Sequence, residues 1–230
     1  SLGNSRAQYN YKFGETGTDA ASPSYPTHIG QFAQGGYFAG YISTTGNGIA
    51  THGLIVAPAA SGYNNKTKLQ YQTATALESN IDSSYDGATN TTNMVNIQTS
   101  TFPAGEYCAG LTINGYNDWY LPARWELEIA YYNLKPSTTA NKTFAYLTNA
   151  YSVPARSTPY TTTDPAQTSV ALFQSGGSEA FEEDAHWSST QENQNNAYEI
   201  WFSHGDHQHN SPSYIKTTQN YVRAFRKFAL

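Results

Sequence analysis

His204, His207 and His209 form a His-x-x-His-x-His run near the C-terminus, and imidazoles at that spacing can converge on a transition metal. They are the metal candidates of the sequence. The run carries no helical spacing, its neighbours are equally polar, and no outer-shell partner that would orient a ligating histidine is identifiable. No metal is therefore expected. Glu182-Glu183-Asp184 is an acidic cluster, but hard cations need several converging oxygens, so it reads as a solvated turn. Cys108 is the single cysteine, which excludes an intrachain disulfide and a cysteine-based structural zinc site. It sits in the apolar Ala104–Leu111 segment and is expected reduced, in the core. Serine and histidine are plentiful, yet no nucleophile, base and oxyanion donor form an ordered constellation. The expectation is a protein that is no enzyme and holds no cofactor.

What remains is a vocabulary for contact. Only 13% of residues are charged, against about a quarter in an average soluble domain, while Tyr alone occurs 19 times. Such a surface is neutral, polar and aromatic, with Tyr supplying rigid amphipathic area and Asn or Ser adaptable hydrogen bonds. The net charge of -5 and the 12 scattered Lys and Arg argue against nucleic acid, which needs clustered cations. No apolar run approaches the ~18 residues that span a bilayer, so no membrane insertion is expected. With 230 residues, the chain can bury one large core. Residues 1–27, rich in Gly, Ser, Thr and Pro, read as an arm from an upstream region, and 28–230 as one domain.

The elements that must present this surface follow in order. Gly35–Ile42 and His52–Pro58 are short apolar runs around a Thr45-Gly46-Asn47-Gly48 turn, which predicts a hairpin. The polar stretch 60–101 suggests short helices near Thr73–Ser79 and Thr92–Ile97. Ala104–Leu111 has helical spacing and stops at Asn114-Gly115, a pair suited to a helix end or a tight turn. A short strand Asp118–Leu121 leads to Pro122, placed as the first residue of a helix that ends at Lys135-Pro136. Isolated strands are possible at Phe144–Leu147 and Val170–Phe173. Ala197–Ser203 alternates, with Ala197, Glu199, Trp201 and Ser203 on one face and Tyr198, Ile200 and Phe202 on the other. Tyr221–Arg226 is expected to pair with it or with the strand at Trp187.

Several of these stretches carry a resemblance. Asn114-Gly115-Tyr116-Asn117-Asp118-Trp119-Tyr120-Leu121-Pro122, then Glu126-Leu127, resembles the "GYxDWxLPxxxEL" signature of the family known as DUF1566, also described as Legionella collagen-like protein C-terminal domains. Trp187-Ser188-Ser189-Thr190, Ala197, Phe202-Ser203, Gly205, Lys216 and Tyr221-Val222-Arg223-Ala224-x-Arg226 are similar to its ending, and Gly35–Phe38 with His52–Pro58 to its opening. The likeness runs in order from Ile29 to Phe228. It implies an α+β, C-type-lectin-like (formylglycine-generating-enzyme-like) domain: two helices around small twisted antiparallel sheets, with long loops. Members occur in phage tail fibres and bacterial surface adhesins, and some are variable targets of diversity-generating retroelements. In those the residues between the Trp-Ser-Ser and Val-Arg motifs form the ligand-binding face. Here that interval holds Glu192, Asn193, Asn195, Asn196, Tyr198, Trp201, His204, Asp206, His207, His209, Asn210, Ser213, Tyr214, Gln219 and Asn220.

The resemblance thus implies a receptor-binding domain at a tail-fibre tip, a homotrimer whose partner is a bacterial surface glycan or outer-membrane protein. A bacterial cell-surface adhesin or lipoprotein domain, or a purely structural fibre tip, are the alternatives. Ala123 stands where the family often has a capping Ser or Thr, and the interval from Gly205 to Lys216 is long. Asn117-Asp118-Trp119 does not reproduce the calcium-binding Trp-Asn-Asp order of true C-type lectins, and an oxidase like the formylglycine-generating enzymes would need a second cysteine. Trp119, Leu121, Trp187 and Val222 are expected in the core, and Arg223 and Arg226 in ion pairs with Asp118 or Glu126.

Overall fold

In the computed structural model, which describes residues 25–144, 146–207 and 214–230, the expected glycine-punctuated hairpin is the centre of a mixed α+β architecture. Strands β1 (Phe32–Ala33), β2 (Gly36–Ile42) and β3 (His52–Val56) pair antiparallel in that order. A four-residue helix α1 (Ala59–Gly62), strand β4 (Leu69–Gln70), and helices α2 (Gly87–Ile97), α3 (Pro103–Ala109) and α4 (Arg124–Leu134) follow. Then come β5 (Ser152–Val153), the hairpin of β6 (Ala185–Gln191) and β7 (Ala197–Trp201), β8 (Gln219–Asn220) and β9 (Phe225–Ala229). Four helices are described where the resemblance implies two; α2 and α4, at 11 residues each, are the long ones.

The central sheet is buried on both faces, which its alternation makes possible. Phe38, Ile55 and Phe228 point into one cluster with Trp119, Leu121, Trp187, Val222 and Cys108. Ala39, Leu54, Val56 and Phe225 point into the other, against Leu127, Ile129 and Ala130 of α4. Helix α4 approaches β2 so closely that a Cβ at Gly40, whose φ is +138°, would lie 2.7 Å from Asn133 Nδ2. The β2–β3 register slips at this residue, between Phe38 and Gly40. Tyr25 stacks on Phe228 at 5.5 Å and Tyr41 donates to Pro26 O at 3.2 Å, so the end of the expected arm packs on the domain. The rest of the arm lies outside the described residues.

Helix α4 begins two residues later than Pro122 predicts. Ala123 is its N-cap, in extended backbone (φ -67°, ψ 164°), and has no side-chain oxygen to offer. Instead Thr190 Oγ1, from β6, accepts from Arg124 N–H at 2.9 Å, and Ser84 O accepts from Trp125 N–H at 2.9 Å. Glu126 Oε2 accepts from Ala123 N–H at 2.8 Å. The first two orphan donors of the helix, at Arg124 and Trp125, are therefore satisfied from distant segments, and that of the N-cap by Glu126 of the helix itself. Asn114-Gly115, at φ 52° and 84°, forms a two-residue turn closed by mutual Ile113–Tyr116 backbone bonds, a geometry that suits this residue pair.

Other local expectations differ. Asp118–Leu121 makes only one bridge, Tyr120 to Phe225, and Thr73–Ser79 is loop, whereas α2 extends the expected Thr92–Ile97 helix back to Gly87 behind an Asp86 cap. Val170–Phe173 leads into a 3₁₀ turn at Ala171–Phe173 rather than a strand, and no strand crosses the described part of Phe144–Leu147. The C-terminal strand is Phe225–Ala229, and its partner is β3, with Ile55 opposite Arg226, not β6 or β7. Of the expected Tyr221–Arg226 strand only Tyr221 meets β6, in a parallel bridge to His186, and Arg223 beyond it is anchored on Glu179 at 2.7 Å and Ala57 O at 2.9 Å. Arg226 forks onto Asp118 at 2.7 and 2.9 Å as expected, but Glu126 pairs with neither arginine.

Candidate recognition face

The hairpin β6–β7 carries the interval singled out by sequence. Every residue of β6 is buried, which fixes the base, and the tip is closed by its own polar groups. Glu192 N–H donates to Asn196 O at 3.0 Å, and Asn193 Oδ1 accepts from Asn195 and Asn196 N–H at 2.8 and 3.0 Å. Asn193 is thus spent on the turn, an Asx arrangement, while Asn195 remains exposed and Asn196 half-buried. Lys216 N–H donates to Asn195 O at 2.9 Å, bringing Tyr214 beside the tip. Burial and the neighbouring Glu192 push the Tyr214 phenol up.

Along β7 the side chains divide. Tyr198 leans on Arg124, whose guanidinium carbon lies 4.2 Å from its ring centre and 4.3 Å from that of Trp125. Arg124 Nε donates to His207 Nδ1 at 3.0 Å, so His207 is an acceptor at that nitrogen. His207 is fully buried and meets Trp125 and Tyr146 edge-on at 5.4 and 5.8 Å. Phe144, 44% exposed, stacks on Tyr146 at 5.3 Å, and Tyr146 donates to Asp206 at 3.1 Å. Burial first, then Asp206, raises the Tyr146 phenol. On the opposite face of β7, Trp201 Nε1 donates to Glu199 at 2.9 Å and Asn220 Nδ2 to the other Glu199 oxygen at 2.7 Å. His204 stacks on Trp201 at 5.6 Å, and burial lowers its imidazole pKa. The turn from Trp201 to Asp206 is possible because Gly205 sits at φ +73°, where a Cβ would meet Tyr131 at 2.4 Å.

No family model, curated protein or solved structure matches the chain.

The interval is therefore not one continuous surface. Glu192, Asn193, Asn195, Asn196, Tyr198 and Tyr214 gather at the tip and the Arg124 side, and Trp201, His204 and Asp206 at the following turn. Asn220 is 2% exposed, beneath Trp201, and Gln219, on β8 opposite Gln70, belongs to another sheet. His209, Asn210 and Ser213 lie outside the described residues. Among those described, no three His, Cys, Asp or Glu converge as metal ligands. The described residues of the face offer stacking, amide hydrogen bonding and the Arg124 guanidinium.

Sequence reasoning missed Arg124, Trp125, Phe144 and Tyr146. Trp125 reads as an apolar helix position, yet it opens α4 half-buried, facing His207. The i, i+2 spacing of Phe144 and Tyr146 was the available signal, but it reads equally as a strand. A depression of about 460 Å³ lined by Leu77–Asn80, Asp82, Gln191 and Glu192 borders the tip. Beside it Lys216 Nζ donates to Ala76 O and Gln191 Oε1, both at 2.5 Å, and burial lowers its ammonium pKa to about 8.

Proposed function

We propose that this chain is a recognition domain without catalytic activity, of the DUF1566 type and C-type-lectin-like in fold. It serves as the receptor-binding tip of a phage tail fibre and attaches to a ligand on the bacterial surface. The observation that carries the reading is the hairpin between Ala185 and Trp201. Its base is wholly buried and its tip closes on Asn193, so the partly exposed Tyr198 and Trp201 project from a preset frame. Rigid aromatic anchors among amide side chains bind with little ordering cost. Presentation as a trimer would multiply a weak single-site affinity through effective concentration.

The test compares the 230-residue chain with a Tyr198→Ala, Trp201→Ala double variant for attachment to bacterial cells, with circular dichroism and melting temperature as folding controls. Loss of attachment by ~30-fold or more is expected, since two anchors at about 1–2 kcal/mol each are removed. A folded variant that attaches as well as the parent sinks the site assignment. If the parent does not attach at all, an inert structural tip is the better description.

A further inference from the structure

Among the described residues of the candidate face, Arg124 is a cation without a carboxylate partner. It is half-buried, and burial lowers its pKa. Its Nε is occupied by His207 Nδ1, and its flat face lies over the rings of Tyr198 and Trp125. Yet among the described residues no carboxylate lies within ion-pair distance of it, and its two terminal nitrogens donate to nothing. The other described arginines behave differently: Arg156 is paired with Glu128, Arg223 with Glu179 and Arg226 with Asp118. The carboxylates around Arg124 are engaged elsewhere, Glu192 with Asn193 Nδ2 at 3.1 Å and Asp206 with the Tyr146 hydroxyl. A guanidinium oriented at Nε and flanked by rings keeps its outer fork pre-aimed, and that fork matches the two oxygens of a carboxylate or phosphate.

We infer that Arg124 is the specificity-determining residue of the recognition face, and that the ligand is an acidic saccharide whose carboxylate or phosphate docks on the Arg124 fork while a sugar ring stacks beside it on Tyr198. The inference rests on the recognition function proposed above and names its ligand class. A saccharide fits better than an acidic peptide because the surroundings are amphipathic rings and amides that complement the C–H faces and hydroxyls of a sugar. A peptide side chain would leave these groups unused.

The probes are matched oligosaccharides on one array: uronic-acid-containing chains beside their carboxyl-reduced forms, phosphorylated sugars beside their dephosphorylated forms, and a poly-glutamate peptide. The parent chain should prefer acidic over neutral members about 10- to 100-fold, the range of a charge-assisted bidentate contact. Whether the carboxylate or the phosphate pairs carry the preference identifies the source of the anion. Arg124→Gln should reduce acidic binding to the neutral level, and Arg124→Lys should recover part of it, with melting temperature as the folding control. The acidic-to-neutral ratio of the parent needs no variant and decides the case even if substitutions at 124 fail to fold. Equal binding within pairs, or a folded Arg124→Gln chain that keeps the preference, overturns the inference. So does binding to poly-glutamate alone, or attachment to bacterial cells with no array signal; both leave the recognition function standing. No binding to array, peptide or cells removes that function and the inference together.

Discussion

Glu126 offers a sharp test of how this fold manages its interior. Its carboxylate is fully buried beneath the start of α4, accepting from Ala123 N–H at 2.8 Å, Gly87 N–H at 3.0 Å and the Tyr120 hydroxyl at 2.9 Å. Burial nevertheless dominates these donors and pushes its pKa from 4.5 up to about 7. A folded-state pKa above the unfolded one means that the native protein holds the proton more tightly between those values. The stabilisation is complete below pH 4.5 and is lost as pH rises through about 7. At 1.36 kcal/mol per pH unit, the span amounts to about 3 kcal/mol. Glu126→Gln keeps the shape and removes the titration. Urea unfolding of both proteins from pH 4 to 8 should show the variant gaining on the parent by about 3 kcal/mol across that window, whatever constant offset the amide introduces. Other titrating groups, such as the buried His186, whose pKa falls to about 3, contribute to both proteins and cancel in the difference. A difference that stays flat with pH, or slopes the other way, refutes the reasoning.

Two further outcomes follow from buried polar contacts of the scaffold. Thr190→Val removes the hydroxyl that accepts from Arg124 N–H and donates to Ser83 O; chemical denaturation should show a loss of about 1–3 kcal/mol, with most of it regained in Thr190→Ser. Glu179→Ala strands Arg223, which is 1% exposed, and also removes the acceptor for Ala59 N–H. That substitution should cost about 3–5 kcal/mol by urea midpoint, whereas an equally buried pair of apolar replacements at 179 and 223 should cost much less.

What the sequence disclosed and what it concealed divide by range. The β2–β3 hairpin, the Asn114-Gly115 turn and the periodicity of α4 are local signals, each written within one short stretch of chain, and each is in the fold. So is the core position of Trp119 and Trp187, because large aromatics in strand-like runs have few other places to go. The partner of β9 was not legible: alternation fixes which side chains share a face, and β3, β6 and β7 all satisfy it equally. Nor was the partner of Arg223, since Glu179 stands in a loop without periodicity. The candidate face was half legible for the same reason. Tyr198 announced itself in the polar interval, but Arg124 and Trp125 join it from a helix start far away in the chain.

The Asn193 turn sets how freely this surface can be rewritten. Because one side-chain oxygen receives both Asn195 and Asn196 N–H, position 193 admits only the short acceptors Asn, Asp and, less well, Ser or Thr. Gln194, exposed at the apex, has no such obligation, and neither has the exposed side chain of Asn195. A library randomised over this hairpin would therefore return a narrow alphabet at one site beside broad ones at its neighbours. New binding preferences would be sought at the permissive positions, with a single conserved letter keeping the loop closed.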